Sequence, residues 1–189
     1  MAMTMQAIES LYSYARRFEQ KEVSLRDSVA SACQVLLDAV ECARLSLWSF
    51  EIGSDLQGMR CIWVKLRDHP IVDDHELITS SECASYFSDL ARMGYFASSD
   101  VEIDDRLKAM RDSYLRKHLI RATLDVPIGI NGRAYWLVCC EQVQAPYAWR
   151  ASDITTARQL CSRTGLLISR MLGIPMDALH SIPFSADEA

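Results

Sequence analysis

The stretch that most constrains this chain runs from Ala122 to Glu141, ATLDVPIGINGRAYWLVCCE. Two apolar runs flank Asn131-Gly132. Asn-Gly between such runs predicts a hairpin, because both central residues of a type I′ turn need φ > 0. The expected strands are Ala122 to Ile130 and Arg133 to Glu141. Side chains alternate between faces along a strand. Ala122, Leu124, Val126, Ile128 and Ile130 therefore form a plain core face. Thr123, Asp125, Pro127 and Gly129 form a mixed, partly polar one. Cys139 and Cys140 must point to opposite faces, so they cannot act as a simple dithiol pair.

The rest of the chain supplies helices and further strands. Met5 to Glu19 reads as a helix with Ile8, Leu11, Tyr12, Ala15 and Phe18 on one stripe. A second begins near Ser24, where Ser24 and Asp27 make a capping pair, and carries Leu25, Val29, Cys33, Leu36 and Val40. Either stripe could pack on the sheet or pair with a second copy of the protein. Ala43 to Phe50 is a strand with Leu45 and Leu47 on one face and Arg44, Ser46, Trp48 and Phe50 on the other. Gly53 and Gly58 mark a turn. Met59 to Leu66 returns as a strand, with Cys61 and Trp63 on one face and Ile62, Val64 and Leu66 on the other. Thr79 and Glu82 suggest a capping box for a helix through Met93, with Cys83, Tyr86, Phe87 and Leu90 as its inner stripe. A short strand, Tyr95 to Ser98, leads to an acidic turn in which Asp104 caps the next helix. That helix aligns Leu107, Met110, Tyr114 and His118. Ser152 is the expected N-cap of a long helix from Asp153 to Leu172, ended by Gly173-Ile174-Pro175.

Several function classes are excluded by composition and motif. The net charge of −5 argues against a nucleic-acid partner, whose phosphates attract a basic face. No apolar run of membrane-spanning length and no signal-peptide pattern occurs. Seven scattered cysteines without a signal sequence suggest reduced thiols in a cytoplasm. The cluster His69, Asp73, Asp74, His75 and Glu76 has metal-ligand chemistry, but its spacing fits no metal motif, and a solvated loop is the reading preferred. No phosphate-binding loop, nucleophile elbow, H-E-x-x-H or dinucleotide glycine set is present, so no enzyme activity and no cofactor are expected.

The residues Tyr114-Leu115, Ala122 to Ile128, Gly132, Trp136, Cys139-Cys140-Glu141, Pro146 and Trp149 resemble the C-terminal half of a GAF domain. Ala43 to Phe50 is similar to the first strand of that family, and Tyr95 to Arg106 (YFASSDVEIDDR) to its acidic loop. The nearest flavour is that of sensor kinases and phytochrome-like proteins. The resemblance covers about Ala43 to Leu172. It implies an α/β (α+β) fold of GAF type, with a central, mainly antiparallel sheet, terminal helices on one face, and short helices and loops over the other. Residues 1–42 would be N-terminal helices that pack on the domain or dimerise, 43–172 the GAF domain, and 173–189 a tail.

The same resemblance implies a site and limits it. The phytochrome branch attaches its bilin through a Cys-His pair that would fall on Met110 and Arg111, so covalent bilin is not expected. The Asn-Lys-x-Asp signature of cyclic-nucleotide binders and the spaced cysteines of the methionine-sulfoxide reductase branch are also missing. Bilin-binding relatives contact ligand from positions matching Ser46, Trp48, Arg111, Tyr114, Thr123, Asp125 and Glu141. Strand parity independently places Ser46 with Trp48, and Thr123 with Asp125. These residues could hold a small polar ligand, or pair with one another as a closed core without one. The expectation is a regulatory sensor: a homodimer that binds an unidentified small molecule and signals to a protein in trans, or through a following domain. The alternative is a ligand-free dimerisation or adaptor module.

Overall fold

The computed structural model describes residues 2–52, 56–79, 83–130 and 133–171. Asn131-Gly132, Gly53, Glu82 and the tail 173–189 lie outside the described residues. Helix α1 spans Ala2–Glu19 and α2 spans Leu25–Val40. The start of α2 is fixed by a reciprocal cap: Ser24 Oγ accepts from the Asp27 N–H at 3.1 Å, and Asp27 accepts from the Ser24 hydroxyl at 2.7 Å. Strands β1 (Arg44–Ile52), β2 (Leu56–Leu66), β3 (Val72–Asp73) and β4 (Leu77–Thr79) follow. Helix α3 is Ala84–Met93, stopped by Gly94 at φ 68°, and β5 is Phe96–Ser98. A composite helical segment comes next. It has a 3-10 turn, Asp105–Leu107, an α turn, α4 (Lys108–Met110), and a π turn, Arg111–Leu115. Strands β6 (Ile120–Ile130) and β7 (Arg133–Val143) form the hairpin, and α5 (Ala151–Met171) closes the described chain.

The sheet runs β3-β2-β1-β7-β6-β5, with β4 also paired to β2, and every pairing is antiparallel. One face is covered by α1, α2 and α5, whose Leu11, Leu36, Leu37, Leu160 and Cys161 pack with Leu45, Leu47, Leu124 and Val138. The other face is covered by α3 and the 105–115 segment. There Tyr86, Leu90, Leu107, Met110 and Tyr114 pack with Trp48, Cys61, Phe96 and Cys139. Burying a side chain such as Leu36 or Leu124 contributes about 1.5–3 kcal/mol, so the two layers hold the sheet between them.

Several expectations change. The 67–77 loop gives two short strands, β3 and β4. Gly58 is not a turn residue but lies in β2 beneath β4, where a Cβ would sit 2.4 Å from the Ile78 carbonyl oxygen. Thr79 ends β4, and α3 opens behind Cys83 with no side-chain cap, so Thr79 does not cap that helix. A bulge between Leu47 and Trp48 on the β1–β2 pairing shifts the alternation of β2. Cys61 therefore joins Met59 and Val64 on one side, while Ile62 and Trp63 turn to the other. On α1 the buried residues are Ala7, Leu11 and Ala15, and Tyr12 is exposed, because α1 packs on α2 and α5. Helix α5 begins at Ala151, ahead of Ser152. The Asp153 carboxylate accepts from the Arg150 N–H at 2.9 Å, the bond from the third helical position back to the N-cap, so the cap falls on Arg150 and not on Ser152.

Candidate functional site

Register builds the polar face. Arg44 of β1 lies opposite Glu141 of β7, which lies opposite Thr123 of β6. One row along, Ser46 faces Cys139, and Cys139 faces Asp125. Two cross-strand rows therefore place Arg44, Glu141, Thr123, Ser46, Cys139 and Asp125 together on the face beneath α3 and the π turn. All six are buried.

The first half of this cluster is built around an ion pair. Arg44 Nη1 donates to Glu141 Oε2 and, at 3.0 Å, to the Tyr114 hydroxyl. Ser46 Oγ donates to Glu141 Oε1 at 3.2 Å, and Trp48 Nε1 donates to Ser46 Oγ at 2.8 Å. Tyr114 packs edge-on against Trp48 with ring centres 5.1 Å apart. Burial works against the charge on Arg44, but Glu141 and Tyr114 more than reverse it, and the guanidinium stays charged. Burial also pushes Glu141 above the usual carboxylate range, against the pull of Arg44.

The second half is built around Asp125. Tyr86 of α3 donates to Asp125 Oδ2 at 2.8 Å, and Thr123 Oγ1 bonds Oδ1. Burial pushes the Asp125 carboxyl up to about 7, despite the stabilising bonds from Thr123 and Tyr86. The Cys139 thiol is in hydrogen-bond contact with both Asp125 and Ser46, so it joins the two halves into one network. Burial pushes that thiol up as well.

Six of the seven residues expected at the site are therefore together: Ser46, Trp48, Tyr114, Thr123, Asp125 and Glu141. Arg111 is not among them. It is half-buried and turned to the acidic loop, where Nε donates to the Val101 carbonyl at 2.9 Å and Nη2 to the Asp104 carbonyl at 3.0 Å. The π turn is the reason, since it breaks the helical spacing that would have set Arg111 beside Tyr114. Arg44 takes its place. Tyr86 and Cys139 also belong to the network, and parity with Ser46 and Glu141 was the available signal for Arg44 and Cys139.

The other candidates disperse. Among the described residues no group of three or more His, Cys, Asp or Glu side chains is placed to hold a metal ion. In the 67–77 loop, Asp73 pairs with Arg26 at 2.8 Å and Glu76 with Lys117. All seven cysteines are buried and free. No described helix is long and apolar enough to cross a membrane.

No protein-family model matches the chain, and no curated protein matches it. Solved structures do. The GAF domain of an Acinetobacter phosphoenolpyruvate-protein phosphotransferase is 17% identical over 90% of this chain and 96% of its own, with a TM-score of 0.63. The PixJ GAF domain of Thermosynechococcus elongatus, in its blue-light-absorbing form, is 19% identical over 80% of this chain and 92% of its own, with a TM-score of 0.61. The chromophore-binding domain of a bacteriophytochrome from R. palustris is 12% identical over 92% of this chain and 63% of its own, with a TM-score of 0.65.

The fold is that of a GAF domain.

In this GAF fold the polar network occupies the sheet face beneath α3 and the π turn, opposite the layer formed by α1, α2 and α5. At these identities the likeness is one of fold, and the chemistry of the site rests on the residues described above.

Proposed function

We propose that this GAF domain is a regulatory sensor module of the cytoplasm. It takes up a small polar ligand at the Arg44 cluster and signals to a protein partner through a homodimer. One observation carries the reading. Arg44 Nη2 is buried and finds no hydrogen-bond partner among the described residues, while Nη1 is fully engaged. An unpaired buried donor costs about 1–3 kcal/mol, and a ligand acceptor would recover that. The solved structures named above include the chromophore-binding domain of a bacteriophytochrome, which supports the reading of this fold as one that can hold a ligand. The module is read as non-catalytic, since its cysteines are buried and a nucleophilic thiol needs an exposed, electropositive setting.

A ligand-free adaptor is the second reading. It is favoured by the internal satisfaction of both carboxylates, Glu141 by Arg44 and Ser46, and Asp125 by Tyr86 and Thr123. Mass spectrometry of small molecules that co-purify with the native protein and with Arg44→Met decides between them. A compound carried by the wild type and lost in the variant is the expected result. If nothing co-purifies and Arg44→Met loses stability, as a purely structural ion pair requires, the adaptor reading replaces the sensor. Sedimentation is expected to give a dimer at micromolar concentration, and a monomer there would remove the dimer from the proposal.

A further inference from the structure

The sensor reading leaves open which chemistry the ligand presents. Three features at one end of the network bear on that. Arg44 Nη2 has no partner among the described residues, and the Arg44 side chain is only 4% exposed. His118 Nε2 is likewise buried and without a hydrogen-bond partner. Both side chains lie against one ring: the Arg44 guanidinium carbon is 5.6 Å from the centre of Tyr114, and the His118 imidazole is 4.7 Å from it. Tyr114 itself is held there by the π turn, a winding that is rare and recurs at functional sites. Two nitrogens of basic side chains that make no hydrogen bond thus flank one aromatic side chain.

We propose that Arg44 Nη2 and His118 Nε2 are the recognition atoms for the carboxylate of a small organic ligand whose body lies against Tyr114. This rests on the sensor reading and names its ligand class. A carboxylate has two oxygens and accepts from two donors at once, which a lone carbonyl does less well. Charge sets a further condition. Glu141 already compensates Arg44, so a second carboxylate requires one more positive charge or a proton. His118 can supply it, since its Nε2 becomes a donor to the ligand on protonation. The groups around the imidazole are Glu76, with Oε1 3.7 Å from Nε2, Asp74, Lys117, Arg44 and Tyr114. Without ligand, burial and the Arg44 charge hold His118 below its ordinary value. Ligand binding therefore takes up a proton, and affinity falls as pH rises from the depressed value of free His118 through the raised value it has in the complex.

The test uses the full chain with acetate and benzoate as probes and acetamide and benzamide as their neutral counterparts. The His118 ring is followed by NMR through a pH titration. Saturating carboxylate is expected to move the His118 midpoint up by about one unit or more, the tenfold equivalent of an added charge partner. Arg44→Lys, which keeps a cation for Glu141 but has no second fork, and His118→Gln are each expected to weaken carboxylate binding at least tenfold. Circular dichroism of both variants should match the wild type. Amide binding equal to carboxylate binding, or carboxylate binding untouched in both variants, overturns the assignment. A co-purified compound without a carboxylate overturns it while leaving the sensor reading intact. Failure of every probe in a protein that also carries nothing from the cell defeats both.

Discussion

Asp125→Asn should flatten part of the pH dependence of this protein's stability. Asp125 is buried on every side, and burial raises its carboxyl from 3.8 to about 7. Between those values the folded protein holds a proton that the unfolded chain has released. Stability is therefore present at low pH and is lost as pH rises towards the folded value, the reverse of the usual carboxylate. The slope is about 1.4 kcal/mol per pH unit, and the linkage relation gives a loss of about 2.5 kcal/mol between pH 5 and pH 7.5 from this group alone. Other carboxylates work the other way. Asp100, Asp104 and Asp153 are held low by hydrogen bonds from their neighbours, which outweigh their own desolvation. Their contribution cancels when the variant is compared with the wild type at each pH. Asn copies the protonated acid, with one acceptor and a donor for Tyr86 and Thr123. Urea unfolding at pH 5, 6, 7 and 7.5 gives the difference directly. The variant should gain on the wild type by about 2.5 kcal/mol across that range. A difference that stays constant within roughly 0.5 kcal/mol, the size of a bland surface effect, would show that Asp125 does not titrate there.

Glu141→Gln is expected to destabilise by about 3–5 kcal/mol at pH 7, because it leaves a buried guanidinium that cannot lose its charge. Arg44→Met should cost less, since the Glu141 left behind can take a proton; denaturant unfolding ranks the two. Gly58→Ala should cost about 1–3 kcal/mol, as its Cβ would meet the Ile78 carbonyl oxygen at 2.4 Å and push β4 off β2; thermal melts check this. Arg111→Ala removes two bonds to loop carbonyls and should cost about 1–2 kcal/mol without altering Trp48 fluorescence, because Arg111 does not touch the polar network.

The parts of the fold legible in the sequence are those set by local rules. Alternation along β6 separates Leu124, Val126 and Ile128 from Thr123 and Asp125, as observed. Ser24 and Asp27 cap α2 as their spacing requires. The misreadings come from tertiary contacts that no local pattern carries. Gly58 looks like a turn until β4 is laid across it. Cys61 and Trp63 look alike until one bulge puts them on opposite faces. Thr79 looks like a cap until it pairs with Gly58 as a strand residue.

The candidate site follows the same division, and Arg44 and Arg111 show why. Both arginines were available to meet Glu141. Arg111 enters through the resemblance and would sit beside Tyr114 only on a regular α-helix, but the segment passes through three windings between Asp105 and Leu115. Arg44 needed only strand parity, because it shares a face with Ser46 and its register partner is Glu141 itself. Extended strands transmit face information reliably over several residues, whereas a short irregular helix loses it within one turn. Polar residues on strands are therefore the sounder basis for a binding-face assignment in a fold of this kind. The six strand positions of the two cross-strand rows include Arg44 and Cys139 and leave Arg111 outside.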